Sequence, residues 1–542
     1  MMVVEDRRED LTLLINCDER CNKKSGLSDL VQSGFGISER LRQLDGSYLK
    51  AVTKKLAKRC NAFMRTLLIL LATTLTLSAA DAMLRAGAAT SNITPELGGE
   101  VVGGFAPYPC THIHDELHAR CLVLDDGRNQ LALVVCDLLG LHRSVSLKAR
   151  EFIEKETGIP ASHVLISGTH THSAVNALGG PVRSYTSDLE ELTDYQTFVA
   201  RRMADGVRRA VNLLRPAEIA WGRVDVPEHV HIRRWFLKEG SMPPNPFGKI
   251  DKVKMNPGAG NPALIEPAGE PDPTVSFIAL REPNGRLISI YSAYSLHYVG
   301  GVNGADISAD YYGYYCEALK RLQKGGDEYP PFVGIMANGT SGDANNINFR
   351  NPQPRKAPYE QMRYVAEDVA AKVNAALAGL KWENRAPLDA RYRELDVKWR
   401  SIPDELISWA KETEAKAPRI QGGKADLPLA YAGRVQRLAK ASQETKTPVQ
   451  ILRIGDICIG TTPCETFAET GVEFKKRSPF EKSFMVELAH GYYGYMPTPR
   501  HFELGGYETW PGTNNLESQA SLKMMNALLE MASEVKTSPM PR

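Results

Sequence analysis

The chain has 542 residues, of which 43% are hydrophobic and 24% are charged, the balance of a globular protein with a substantial core. Its 66 basic and 64 acidic residues leave a formal net charge of +2. This charge gives no electrostatic basis for binding nucleic acid or another polyanion, so we expect no nucleic-acid partner.

Residues 64–82 have the layout of a secretory signal peptide. The segment reads MRTLLILLATTLTLSAADA, with Arg65 ahead of an apolar run and small residues after it. The run is shorter than the ~20 residues that cross a bilayer as a helix. A buried core helix is the alternative interpretation. We expect cleavage after Ala80 or Ala82 and a secreted or periplasmic protein, with residues 1–63 absent from the mature chain.

Downstream, apolar strand-like runs alternate with amphipathic helical patterns. Runs at 131–136, 164–167, 332–336 and 451–459 predict buried strands, and 275–280 with 287–293 predict a hairpin around Asn284 and Gly285. Helices are predicted at 192–214, 364–380, 405–416 and 517–535, and loops at 238–273 and 417–427. No internal repeat is visible. The pattern predicts a single α/β domain over residues 83–542, with mixed β-sheets flanked by helices.

Six cysteines lie within this domain, an even number that permits disulfides in an exported chain. Cys136 and Cys458 stand on apolar runs, where free buried thiols are equally well accommodated. The sequence leaves the pairing open among Cys110, Cys121, Cys136, Cys316, Cys458 and Cys464.

Two histidines follow the strand predicted at 164–167, in the motif GTHTHS. In an extended segment, side chains two residues apart share a face, so His170 and His172 can reach one cleft. Imidazole binds zinc and also carries protons near neutral pH, which suits one ligand and one acid or base. Taken alone, such a pair is equally typical of ordinary surface histidines.

Other polar residues also follow predicted strands. His297 lies just beyond the second strand of the hairpin, Glu465 follows the turn TTPC, and Tyr495 lies within HGYYGYMPT. Each of them alone could simply pack. The loop NGTSGDANN, at 338–346, follows another strand and predicts exposed backbone amides that suit an oxyanion site.

Five segments, in this order, resemble the catalytic domain of the neutral, non-lysosomal ceramidases, which cleave the amide of N-acylsphingosine. They are AGAATSNITP, SGTHTHS, SAYSLHYVGGVNGADISADYYGYY, GTTPCETFAETG and LAHGYYGYMPTPRHFELGGYE. The resemblance runs from residue 83 to the end, without the family's C-terminal immunoglobulin-like domain. It implies that family's fold and a small lipid-like or acylated substrate, and it is compatible with peripheral contact between the protein and a membrane.

The resemblance also implies a metal site. It assigns one zinc ion per chain to His170, His297, Glu465 and Tyr495. His172 would be the neighbouring acid or base.

Three further residues are implied by the same motifs. Tyr507, twelve residues beyond Tyr495, would polarise the scissile carbonyl. The segment HIRRW is similar to the family's Asn-Arg-Ser segment, which makes Arg234 the substrate-contacting arginine and places Arg233 where the family has asparagine. Where the family reads Gly-Asp-Val-Ser-Pro-Asn, this chain reads GDANN, so Asn345 replaces the serine nucleophile. An amide cannot attack a carbonyl usefully, but it can donate a hydrogen bond to an oxyanion.

The resulting hypothesis is an exported hydrolase of amide or ester bonds that uses zinc-bound water, with His172 relaying protons. One alternative is a zinc hydrolase of a non-sphingolipid substrate, since fold does not fix function. A second is a non-catalytic binding protein that lost turnover with the serine.

Overall fold

A computed structural model of the protein describes residues 83–104, 107–179, 191–416 and 426–537, all within one compact unit. The predicted N-terminal extension, the predicted signal peptide and most of the loop predicted at 417–427 lie outside the described residues. Along the described ranges, no helix is both long and apolar enough to cross a membrane.

The strands of the described chain are mostly short, and eight or more residues long only in the main sheets. In chain order they are β1 (Arg85–Asn92), β2 (Glu100–Val102), β3 (Tyr108–Pro109), β4 (His112–Ile113), β5 (His118–Asp125), β6 (Gln130–Cys136), β7 (Val164–Gly168), β8 (Ala174–Val175), β9 (Arg215–Pro216), β10 (Glu218–Asp225), β11 (His231–Ile232), β12 (Arg234–Leu237), β13 (Val253–Met255), β14 (Leu264–Pro267), β15 (Thr274–Arg281), β16 (Leu287–Tyr294), β17 (Asp306–Ile307), β18 (Val333–Asn338), β19 (Ala344–Asn345), β20 (Leu388–Lys398), β21 (Glu444–Ile454), β22 (Ile457–Thr461), β23 (Glu465–Thr466), β24 (Lys482–Val486) and β25 (Tyr495–Met496).

The helices begin and end at residues suited to those positions. Thr193 and Gln196 form a capping box at the start of the second helix, and Gly158 ends the first helix with a φ of 76° that suits glycine. The helices of the described ranges are α1 (Arg143–Thr157), α2 (Asp194–Asn212), α3 (Asp310–Leu322), α4 (Glu360–Ala376), α5 (Asp404–Lys416), α6 (Leu427–Ala439), α7 (Ala468–Arg477), α8 (Pro499–Leu504) and α9 (Ala520–Thr537).

The three main sheets share one topology, although the sequence shows no repeat. In each sheet an outer strand pairs with a hairpin, and a helix then leads to a parallel fourth strand. The four-strand orders are β1-β5-β6-β7, β10-β15-β16-β18 and β20-β21-β22-β24, with α1, α3 and α7 as the crossing helices. In the first sheet β9 adds a fifth strand beside β1. The described chain is therefore built around three similar α/β units.

One hydrophobic core joins the three units. It takes Leu133 from the first sheet, Ile335 from the second and Ile459 from the third, all fully buried. On β6, every second side chain faces this shared core, while the alternate ones, such as Val134, face the core beneath α1 and α2. Both faces of the sheets are thus covered, which explains why their strands read as continuous apolar runs.

The mixed α/β class, with sheets flanked by helices, is confirmed. The predicted hairpin is β15 and β16, which pair in antiparallel register. Two details of the prediction are wrong. The run at 451–459 is two strands, because Gly455 turns the chain with a φ of 60°. The supposed loop 238–273 contains β13 and β14, which pair with β12 but are too short to show alternation.

The six cysteines of the described chain are all free and buried, so none of them forms a disulfide.

A salt-bridged cluster ties α7 to α8. The Glu469 carboxylate accepts hydrogen bonds from Thr498 and Arg500 and lies 3.2 Å from the Nε2 atom of buried His501. Burial alone would raise the pKa of Glu469, but the hydrogen bonds from His501, Thr498 and Arg500 outweigh it and lower the pKa to about 2. The ionised carboxylate therefore stabilises this junction.

Candidate metal centre

Each of the three units contributes a side chain to one buried cluster. His170 follows the end of β7, His297 follows β16, and Glu465 opens the short strand β23 after β22. β23 pairs in parallel with β25, and the register places Glu465 opposite Tyr495. Strand ends are where mixed sheets commonly carry their functional residues, because loops there are free to vary while the strands hold them.

The imidazoles of three histidines converge on one point. The Nε2 atom of His170 lies 3.2 Å from the Nε2 atoms of both His172 and His297, and the ligand atoms of all three lie within 4.8 Å of one another. His170 and His297 are 1% exposed, whereas His172 is partly exposed. The predicted convergence is present, but not through an extended segment, because His170 has a left-handed φ of 78°. Such backbone strain in a non-glycine residue is typical of functional sites.

The outer nitrogens of the two buried histidines face acceptors. The Nδ1 atom of His170 lies 2.7 Å from the carbonyl oxygen of Leu139, and the Nδ1 atom of His297 lies 3.2 Å from that of Ser341. A carbonyl can only accept, so each Nδ1 atom carries a hydrogen, and the neutral form of each ring would present its Nε2 lone pair to the cluster. Burial, followed by the charge of Arg233, lowers the pKa of His297 well below its ordinary value. His297 is therefore the neutral imidazole that a metal requires.

Glu465 supplies an oxygen that the described protein atoms leave without a hydrogen bond. Its Oε1 atom accepts from the Tyr492 hydroxyl, while its buried Oε2 atom lies 3.3 Å from His170 Nε2 and 3.8 Å from His297 Nε2. Burial raises the pKa of Glu465, but His170, Tyr492 and Tyr495 more than offset this and lower it. A buried ionised oxygen at this distance from imidazole nitrogens requires a positive charge between them, either a proton or a metal ion. These residues therefore fit a metal ion.

Tyr495 borders the same cluster. Its hydroxyl accepts a hydrogen bond of 2.9 Å from Arg233 Nη2. Burial raises the pKa of Tyr495 well above its ordinary value, and the Arg233 charge opposes that rise. A cation in the cluster would stabilise the phenolate form of Tyr495 and would therefore, like Arg233, lower the pKa of Tyr495.

The two adjacent arginines have different environments. Arg233 donates to Glu508, to the carbonyl of Gly342 and to Tyr495, so its guanidinium reaches the cluster. Arg234 is fully buried, and its guanidinium donates to Glu508 and to the carbonyl of Gly505. Substrate contact by Arg234 stays a prediction. The arginine that the geometry connects to Tyr495 is its neighbour.

The loop 338–346 is held inside the protein by its own backbone. The amide of Gly342 donates to the Thr466 carbonyl, so it is not one of the free amides that were predicted for this loop. The side chain of Asn345 donates to Asn256 at 2.9 Å and accepts from the amide of Ile347 at 2.9 Å. The side chain of Asn345, which lies on strand β19, therefore stabilises the local backbone.

Tyr507 lies beside the cluster, with its ring 5.7 Å from the Tyr495 ring in an edge-on arrangement. Burial raises its pKa, so its hydroxyl remains a hydrogen-bond donor at neutral pH. Tyr298 stacks on the partly exposed His172, with ring centroids 3.7 Å apart.

Four residues around the cluster escaped the sequence analysis as site residues: Tyr492, Tyr298, Ser341 and Glu487. Three of them, Tyr492, Tyr298 and Ser341, lay within segments already quoted, but nothing in the local sequence distinguishes them from packing residues. Only their contacts with Glu465, His172 and His297 do so.

Comparison with known proteins identifies the fold. No protein-family model and no curated protein matches this chain. Among solved structures, a ceramidase complexed with C2 superposes with a TM-score of 0.61 at 17% identity, covering 84% of this chain and 76% of that chain. A neutral ceramidase from Pseudomonas aeruginosa gives a TM-score of 0.59 at 17% identity, covering 84% and 75%. The chain therefore has a fold similar to that of neutral ceramidases.

Proposed function

We propose that this protein is a zinc-dependent hydrolase of amide bonds with a neutral ceramidase-like site, acting on an N-acylsphingosine or a related acylated lipid. The observation that carries the proposal is the Glu465 Oε2 atom, buried without a hydrogen bond beside the Nε2 atoms of His170 and His297. The fold similarity supports the substrate class. It does so by analogy, since one fold hosts many chemistries.

The donor set favours zinc over calcium or magnesium. Neutral imidazoles with one or two oxygen ligands suit zinc, whereas the two harder cations take mostly oxygen ligands and water. His170, His297 and Glu465 would hold the ion, with Tyr495 as the fourth ligand. The chemistry that zinc supplies when bound is Lewis acidity, which lowers the pKa of water and polarises a carbonyl oxygen.

His172 is suited to moving a proton. Its Nε2 atom faces the cluster, and the residue is partly exposed, so a proton taken up there can exchange with solvent. Stacking on Tyr298 holds the ring in place. In our proposal His172 takes a proton from the attacking water and returns it to the leaving amine.

Donors for the oxyanion come from side chains. The protonated Tyr507 hydroxyl lies next to Tyr495 and would donate to the scissile carbonyl oxygen. Arg233 adds a fixed positive charge behind Tyr495. Water is the nucleophile in this scheme, because Asn345 has no nucleophilic atom and its side-chain amide is hydrogen bonded to Asn256 and Ile347.

Metal analysis tests the proposal. We expect about one zinc per wild-type chain and a large loss in His297→Ala. His163→Ala is the matched control, since its Nδ1 atom also faces a backbone carbonyl, that of Gln130, but it stands outside the cluster. Equal zinc in the wild type and in His297→Ala would overturn the site.

Activity assays separate the alternatives. We expect hydrolysis of N-acylsphingosine within a panel of N-acyl and ester substrates, with activity lost on adding a chelator and restored by zinc. Turnover of an acylated sugar, peptide or small amide instead would favour the zinc hydrolase of another substrate. Zinc binding with no turnover of any substrate would favour the binding protein.

His172→Ala distinguishes a proton carrier from a ligand. If His172 carries the proton, its loss should lower kcat by about 10² to 10⁴, while the zinc content should stay near one per chain. Loss of zinc to the extent seen in His170→Ala would make His172 a ligand instead.

Export completes the proposal. It rests on the signal-like segment 64–82, so N-terminal sequencing of secreted protein should give a start within a few residues of Ala80 to Met83. A secreted chain that begins at Met1 would contradict it.

A further inference from the structure

Glu487 is a buried acidic residue to which the resemblance assigns no role. It follows directly after β24, the last strand of the third sheet, and it is 0% exposed. Carboxylates are almost never fully buried unless they are paired or hydrogen bonded, so the contacts of this one require an explanation.

The two oxygens of Glu487 contact two different segments. Its Oε1 atom accepts a hydrogen bond of 2.7 Å from the Ser341 hydroxyl, and its Oε2 atom accepts one of 2.5 Å from the backbone amide of Thr466. The Ser341 hydroxyl oxygen lies 3.2 Å from His297 Nδ1. Thr466 follows Glu465 within β23. One carboxylate therefore joins the segment that supports His297 to the strand that carries Glu465.

From these contacts we infer that Glu487 is a positioning residue for the metal centre, acting through Ser341 on His297 and through Thr466 on Glu465. The inference rests on the proposed metal site and extends it to a residue that touches neither metal nor substrate.

The direction of the Ser341 hydrogen bond matters. Because the hydroxyl hydrogen is donated to Glu487, the Ser341 oxygen faces His297 Nδ1 as an acceptor. Together with the Ser341 carbonyl, it keeps the hydrogen of His297 on Nδ1 and leaves Nε2 bare for a metal. Outer partners that fix a histidine's tautomer and orientation in this way are commonly worth 10- to 100-fold in metal affinity.

Glu487→Gln tests the arrangement with little change in size. Glutamine has one acceptor oxygen and one NH2 group, so it cannot accept from both Thr466 and Ser341. If its oxygen keeps the Thr466 amide, the NH2 group turns toward Ser341, whose hydroxyl can then donate to His297 Nδ1. That favours the tautomer with hydrogen on Nε2, which does not bind zinc.

The experiment measures zinc dissociation constants by competition with a chromophoric chelator. We compare wild type, Glu487→Gln, Ser341→Ala and the double variant. Ser289→Ala is the matched control, because Ser289 is an equally buried serine that donates to a carbonyl, that of Val333, at the far end of the strand preceding His297. Thermal unfolding in chelator reports on the metal-free fold of every variant.

We expect each single variant to bind zinc about 10- to 100-fold more weakly, while Ser289→Ala stays within twofold of the wild type. The double variant should bind zinc no more weakly than whichever single variant binds it less tightly, because both changes interrupt the same contacts from Glu487 through Ser341 to His297. Wild-type affinity in Ser341→Ala and Glu487→Gln would overturn the inference and leave the metal site intact. If Glu487→Gln does not fold, Ser341→Ala decides. A wild type that binds no zinc would overturn the proposed function and this inference together.

Discussion

Glu465→Gln should change the stability of the metal-free and zinc-loaded protein in opposite directions. In the metal-free protein the buried Glu465 Oε2 atom is without a hydrogen bond among the described residues and lies 3.3 Å from His170 Nε2 and 3.8 Å from His297 Nε2. A glutamine NH2 group at that place can donate to those nitrogens, while the glutamine oxygen keeps the hydrogen bond from Tyr492. Removing a buried charge that lacks a hydrogen bond and adding a hydrogen bond should leave the free energy of unfolding unchanged or raise it by about 0.5 to 1.5 kcal/mol.

With zinc present, the same change should be costly. A ligand at 1,000 times its dissociation constant stabilises the folded state by about 4.1 kcal/mol. If the lost carboxylate weakens zinc binding about 100-fold, the same free zinc is only about ten times the new constant and contributes about 1.4 kcal/mol. The variant would therefore lose about 2.7 kcal/mol of the stabilisation that zinc gives.

Chemical unfolding, first with a chelator and then at one fixed free-zinc concentration, measures both effects in wild type and variant. A variant that gains as much from zinc as the wild type would show that Glu465 is no ligand. A variant that falls by several kcal/mol in chelator would show that the carboxylate has a partner in the metal-free fold, which would refute the reasoning from its lone oxygen.

Three further predictions concern the neighbourhood of the site. Glu508→Gln should lower the free energy of unfolding by about 3 to 5 kcal/mol in urea titrations, because Glu508 pairs with the buried side chains of Arg233 and Arg234; a change below about 1 kcal/mol would contradict the pairing. The Glu469 carboxylate has a folded-state pKa of about 2 against an ordinary value of 4.5, so its contribution is present above pH 4.5 and is lost as the pH falls toward 2. Glu469→Gln should flatten that part of the stability profile, measured in chelator, and an unchanged profile would refute it. Asn345→Ser should leave the zinc content unchanged. If the unmodified protein and the serine variant have equal ceramidase activity, this position does not limit the reaction.

Local patterns were sufficient to predict many elements and to select several residues of the buried cluster. The hairpin of β15 and β16 depends on a short turn around Gly285, and α2 depends on apolar spacing within its own residues, so neighbouring sequence specifies both. His170, His297 and Glu465 could be selected because each stands in a motif just after a strand, and the motifs keep one order along the chain.

The tertiary structure decided how these pieces meet. Three sheets of one topology surround a common core, and this repeat is invisible in the sequence because buried strands need only apolar side chains, not identical residues. The same packing brings one proposed ligand from each unit to a single point.

Long-range contacts also decided the supporting residues. Arg233 rather than Arg234 reaches Tyr495, and Glu487 lies between the segments of His297 and Glu465, although well over a hundred residues separate Glu487 from Ser341. The sequence by itself determined which side chains can bind a metal, because that is a property of each residue type. Their distances, tautomers and buried partners depend on contacts between units far apart in the chain, and those exist only once the three sheets have packed together.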